Sequence, residues 1–145
     1  MKSLLLLCLL AVTALAAADP APAPKIEKFK LGDWEDDIGY RAAVRVGDTL
    51  YISGIAAAGP MPAAIASVYG ELKSVLAAHG LTFAHVVKEN LHTTDLEAVK
   101  AHQPLRRAWY GQDFPAATWV QISRLYQPDQ ILEVELIAVF PAATR

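Results

Sequence analysis

Two glutamates on one face of an otherwise apolar strand are the side chains of this sequence best placed to do chemistry. The run ILEVELIAV fills positions 131–139. Strand alternation puts Leu132, Val134, Leu136 and Ala138 on one face and Ile131, Glu133, Glu135 and Ile137 on the other. A strand this apolar belongs at the centre of a sheet, so its glutamate face should be covered. A covered carboxylate needs a partner or holds its proton more tightly, and perturbed carboxylates gather at functional sites. The plain alternative is a solvated face, or pairing with a nearby Arg or Lys. Other chemistries find little support. His85 and His92 are seven residues apart, so an unbroken strand turns them to opposite faces, and no zinc-like ligand spacing accompanies them. There is no phosphate-binding or dinucleotide glycine pattern and no nucleophile elbow.

The elements that must position these glutamates can be read along the chain. A second β-type run covers 117–125, separated from 131–139 by Tyr126, Gln127, Pro128, Asp129 and Gln130, a turn-favouring spacer. Residues 42–46 and 49–53 flank Gly47 and Asp48, which predicts a β-hairpin. Ser53 and Gly54 are expected to end its second strand, followed by a small-residue loop over 55–60. Residues 63–79 carry Ile65, Val68, Leu72, Val75 and Leu76 at helical spacing, with Pro62 suited to the first turn and Gly80 to the stop. Residues 83–93 read as a further strand. Thr94 and Asp95 can cap a second helix, which Pro104 should break and restart through Tyr110. Residues 26–31 could add an edge strand, and the acidic stretch 34–37 reads as a solvated surface loop. The order is β-β-α-β-α-β-β, an α+β layout with two helices on one sheet face. The other face is left open, which is costly unless another subunit covers it.

The first 18 residues have the form of a signal peptide. Lys2 supplies the positive start, leucines run from Leu4 to Leu10, and Ala14, Ala16 and Ala18 provide small-residue cleavage positions. Positions 19–25 (DPAPAPK) read as a Pro/Ala linker, and 26–145 as one domain. Export to the periplasm or the medium is therefore expected. Cleavage would remove Lys2 and the single cysteine, Cys8, leaving no disulfide. The whole sequence carries 13 Lys and Arg against 15 Asp and Glu, a formal charge of −2. That balance argues against nucleic acid or an anionic membrane surface as the main partner.

The hairpin VGDTLYISG, the helix ending AAHGLT, the stretch VVKENLHTTDLEAV and the tail FPAATWVQISRL…ILEVELIAV together resemble the RidA/YjgF family, over about 38–139. The family is also described as enamine/imine deaminases and, historically, as L-PSP endoribonucleases. The resemblance implies a chorismate-mutase-like fold and a homotrimer with small-molecule clefts between subunits. It implies hydrolysis of reactive 2-imino or enamine acids to keto acids and ammonia, with no metal or organic cofactor. Carried over by motif, the cleft tyrosine matches Tyr40, the serine of the SG pair matches Ser53, and the glutamate that works with water matches Glu133.

One family residue does not carry over. Where the motif P-A-R-[ST]-x-V places a carboxylate-binding arginine, this chain reads Pro115, Ala116, Ala117, Thr118, Trp119, Val120. Ala117 stands in the arginine's place, and Trp119, on the same strand face, stands where a smaller residue usually points into the cleft. Losing a bidentate Arg–carboxylate pair in a dry site costs about 2–5 kcal/mol, roughly 30- to several-thousand-fold in binding or rate. Lys88, Arg106 and Arg107 read as surface charges rather than substitutes. Two functions follow from the resemblance. One is a RidA-like hydrolase with an altered substrate range, in which Trp119 stacks the ligand. The other is a non-catalytic exported trimer that binds small apolar or aromatic ligands in the same clefts.

Overall fold

The computed structural model describes residues 23–142. The expected signal peptide at 1–18 and the linker up to residue 22 lie outside the described residues. Eleven elements follow in order. They are β1 (Ile26–Phe29), α1 (Trp34–Ile38), β2 (Ala43–Val46), β3 (Thr49–Ala58), α2 (Met61–Ala78), a 3-10 turn (Phe83–His85), β4 (Val86–Thr93), α3 (Leu96–Ala101), α4 (Gln103–Tyr110), β5 (Ala116–Gln121) and β6 (Gln130–Val139).

The six strands form one sheet in the order β1-β2-β3-β6-β4-β5. β6 lies between β3 and β4, antiparallel to both, as its apolar alternation requires. Leu132, Val134, Leu136 and Ala138 are all buried on one face. On that side α2 buries Ile65, Val68, Leu72, Val75 and Leu76, and α4 packs beside it. The helix side is thus an ordinary apolar core. The opposite face of the sheet carries Glu133, Glu135 and Ile137 from β6 and the half-exposed Tyr51 from β3. Apart from the segments around α1 and the turn before β6 that flank Glu133, no part of the described chain covers it. β5 pairs with β4 in parallel and forms one edge, and β1 forms the other.

Local signals act as physical chemistry dictates. Gly47 turns the β2–β3 hairpin with φ 58°, a conformation glycine adopts without penalty. Asp95 Oδ1 accepts the Ala98 amide at 2.9 Å and caps α3. Pro104 falls in the first turn of α4, so the break between α3 and α4 leaves it harmless.

Three expectations are corrected. First, 34–37 is no surface loop but most of a short helix, and Glu35 within it is fully buried. Its carboxylate accepts the backbone amides of Leu31 (2.6 Å) and Ala42 (2.9 Å). These two bonds repay its desolvation and clamp the segment before β2. Second, the strand beginning at Thr49 does not end at Ser53 and Gly54. It runs to Ala58 through a bulge, in which Ser53 and Gly54 together face Glu135 of β6. Third, the strand expected over 83–93 starts only at Val86. Thr82 and His85 form a reciprocal cap around the preceding turn.

Candidate functional site

The bulge creates the site. Beyond it, Ala56 pairs with Glu133, so the glutamate stands beside the backbone of Gly54. A Cβ at position 54 would collide with the Glu133 carboxylate, which explains glycine there. Glu133 lines a cavity of about 770 Å³ together with Tyr40, Gly54 and Ala56. Its walls are completed by Leu31, Trp34 and Ile38 from the segment that Glu35 clamps, and by Tyr126, Gln127 and Gln130 from the turn before β6. Trp34 and Tyr40 stack with centroids 5.6 Å apart. The Tyr40 hydroxyl donates to the Gly54 carbonyl at 3.1 Å. Burial pushes the Tyr40 phenol above its ordinary range. The charges of Glu35 and Glu133 push the same way. Tyr40 is therefore a protonated hydrogen-bond donor at neutral pH.

Glu133 itself has no hydrogen-bond or ion-pair partner among the described residues. A half-buried, unpaired carboxylate at a roomy cavity can hold a water and take its proton. The structure thus brings Tyr40 and Glu133 together. Ser53 lies next to them in the bulge, but its hydroxyl donates to the Arg41 carbonyl at 2.7 Å and lines a smaller depression on the open face. Among the described residues, no group of His, Cys, Asp and Glu could hold a metal ion.

Ala117 and Trp119 do share a strand face, but it is the helix side of β5 rather than this cavity. Ala117 lies opposite Glu89 of β4. The Trp119 indole donates to Glu89 Oε1 at 2.8 Å, so it is committed within the chain instead of presenting its face to a ligand beside Glu133. Glu89 is fully buried, and three further donors hold it: Arg106 Nε at 2.8 Å, the Tyr69 hydroxyl at 2.8 Å and the Tyr110 hydroxyl at 2.6 Å. Arg106 is consequently no surface charge. Its guanidinium packs over Tyr110 (4.9 Å) and Trp119 (4.7 Å) and is neutralised by Glu89. Burial pulls Arg106 down, but the charge and hydrogen bond of Glu89 outweigh it and hold the guanidinium protonated. Burial, with Glu89 adding to it, drives Tyr69 and Tyr110 far above the ordinary phenol range. A guanidinium does lie near the strand position where the sequence lacks one, but it is locked and unavailable to a ligand. Lys88, half-buried on the open face, gives its ammonium to Thr118 Oγ1 at 2.6 Å.

Sequence reasoning missed Trp34 and Tyr126 as cavity walls and Gly54 as the residue that admits Glu133. A signal existed for Gly54, since a glycine inside a strand pattern marks a bulge or a close approach. Trp34 and Tyr126 sit in segments without periodicity, which gave no hint of a shared cavity.

Comparison with known proteins agrees with this architecture. No curated protein sequence matches the chain significantly. Solved structures do match. A YjgF/YER057c/UK114-family protein from Mycobacterium tuberculosis superimposes with TM-score 0.73 at 23% identity, covering 79% of this chain and 99% of that one. A YjgF-family protein from Neisseria meningitidis gives 0.70 at 24% identity, covering 82% and 98%. A Pseudomonas aeruginosa protein of unknown function gives 0.73 at 25% identity, covering 81% and 94%. The profile described as endoribonuclease L-PSP matches residues 36–140, from α1 to the end of β6. With the six-stranded sheet, its helix pair and the SG bulge in place, the chain belongs to the endoribonuclease L-PSP, or YjgF/RidA, family.

Proposed function

We propose that this protein is a RidA-like hydrolase of reactive imine or enamine compounds, with an altered substrate range, because the family's carboxylate-binding arginine is replaced by Ala117 and no arginine among the described residues lines the cavity of Glu133. The observation that carries this reading is the unpaired Glu133 carboxylate beside Gly54, facing a cavity that also holds Tyr40. Glu133 is the general base. It takes a proton from a water that attacks the C=N carbon and returns it to the nitrogen, which leaves as ammonia. Tyr40 shapes the wall and keeps its hydroxyl proton. The trimer implied by the family supports the same reading, because it would cover the open sheet face and place a neighbour at the cavity mouth. Export through the expected signal peptide would put the activity outside the cytosol.

Ala117 favours a second reading, a non-catalytic exported trimer that binds small apolar or aromatic ligands. The two are separated by supplying enzymatically generated imines to purified mature protein, with Glu133→Gln as control. Accelerated ammonia release that disappears in the variant is the expected result. Rates no better than spontaneous hydrolysis would leave ligand binding alone.

A further inference from the structure

The charge of the cavity specifies its occupant more narrowly than imine chemistry does. Two carboxylates, Glu71 and Glu133, line it within one chain, and among the described residues no Arg, Lys or His does. Arg41, next to Tyr40 in sequence, is turned away and bound to Asp36 (2.8 Å) and to the Tyr40 carbonyl (2.6 Å). Arg106 is locked to Glu89 on the other side of the sheet. The remaining walls are aromatic and aliphatic: Trp34, Tyr40 and Tyr126 with Leu31, Ile38 and Ile55. Trp34 and Tyr126 are more than half exposed, so the apolar wall stands open to solvent and unfilled by the chain itself.

An anionic 2-imino acid entering this space would meet two like charges and no cation. An organic cation would meet a carboxylate at one end and π-faces along its body, each of which attracts it. From this charge balance and the aromatic walls we infer that the cavity takes an organic cation with an apolar or aromatic body and no carboxylate. As a substrate this is the iminium form of a simple amine-derived imine. The inference rests on the hydrolase reading only for the reaction, and not for the charge of the ligand.

The reaction is redox-neutral. The oxygen of water bonds to the iminium carbon as Glu133 removes a proton. That proton passes to nitrogen, the C–N bond breaks with its electron pair on nitrogen, and Glu133 carries the hydroxyl proton to the departing ammonia. An iminium ion and water become an aldehyde and ammonium, so charge and atoms balance. The imine itself would come from two-electron oxidation of a primary amine by a separate amine-oxidising enzyme.

Benzamidinium and benzoate share a body and differ in charge, and benzamidinium keeps the planar C=N of an iminium without hydrolysing. Titration calorimetry on the mature protein should show benzamidinium binding at least about tenfold more tightly than benzoate, a difference of ~1.4 kcal/mol. Glu133→Gln should lose that preference. Gln127→Lys, in the exposed turn, places a cation in the same cavity without touching the core, and should shift the preference toward benzoate. Equal binding, tighter binding of benzoate, binding of neither, or a preference unmoved by Gln127→Lys would each overturn the assignment. Turnover separates this from the hydrolase reading. Benzamidinium binding without hydrolysis of benzylamine-derived imine would sink the hydrolase and leave the cation site standing. Hydrolysis confined to amino-acid-derived imines would keep the hydrolase and sink the cation site.

Discussion

At the scale of single residues, two carboxylates have opposite fates. Among the described residues Glu133 has no partner, and Glu89 has four donors. Gly54 is what leaves Glu133 its place. Gly54→Ala should displace the carboxylate while the bulge and the thermal midpoint survive. A displacement near 1 Å at a reacting group can cost about a hundredfold in rate. Steady-state kinetics on the folded variant checks this, and an unchanged kcat would show that Glu133 works from another position. Glu89 contributes to the fold instead. Glu89→Gln leaves the buried Arg106 uncompensated, and breaking such a pair costs about 3–5 kcal/mol. Urea unfolding should show a loss of that order. Adding Arg106→Met should recover part of it, and a double variant no better than the single would mean that the ion pair is not the source.

At the scale of elements, the bulge in β3, the helix α1 and the end of α2 each combine local and distant contacts. The bulge needs the partner strand β6 to define it, because two residues count as an insertion only against the one they face. The helix α1 is held by Glu35 bonding amides on both sides of it. At the end of α2, the His79 ring packs edge-on to Phe29 of β1, with centroids 4.4 Å apart. Burial, with the Arg45 charge adding to it, lowers the His79 pKa from its ordinary 6.5. The unfolded chain therefore binds this proton more readily than the folded one. His79 contributes its full stability where it is neutral in both states, above about pH 6.5, and that contribution fades as the pH falls below it. The unfolding midpoint should drop between about pH 7.5 and 5.5, and drop less in His79→Gln. Equal drops would place the pH dependence on other groups.

At the scale of the whole molecule, the sheet is half covered. One face is buried under α2 and α4, while the other presents Tyr51, Ile137 and Val120 between polar side chains. Lys88 with Thr118 and Asn90 with Glu135 satisfy each other across that face (both 2.6 Å), leaving its apolar residues to find a partner. A second and third copy of the chain would provide it. Light scattering at micromolar concentration should give the mass of a trimer, and Tyr51→Glu should dissociate it. A monomeric wild type would remove the trimer from the proposal.

The amino-acid sequence by itself determined the order of the elements apart from α1, the faces of β6, the core stripe of α2 and the family. All four are repeating or contiguous patterns, and alternation or 3.6-residue spacing is written locally. Its motifs also picked out Tyr40 and Glu133, which the structure brings to one cavity. The tertiary structure alone decided which charges are free. Glu35 and Arg106 look like solvated residues in sequence, because nothing near them in the chain shows that Leu31, Ala42 or Glu89 will desolvate and pair them. Trp119 looked like a ligand platform until the strand order put its indole against Glu89. The cation-free cavity likewise exists only because residues 31–40, 54–56 and 126–133 converge. Periodicity is a property of neighbours along the chain, whereas partnership and net local charge are properties of neighbours in space.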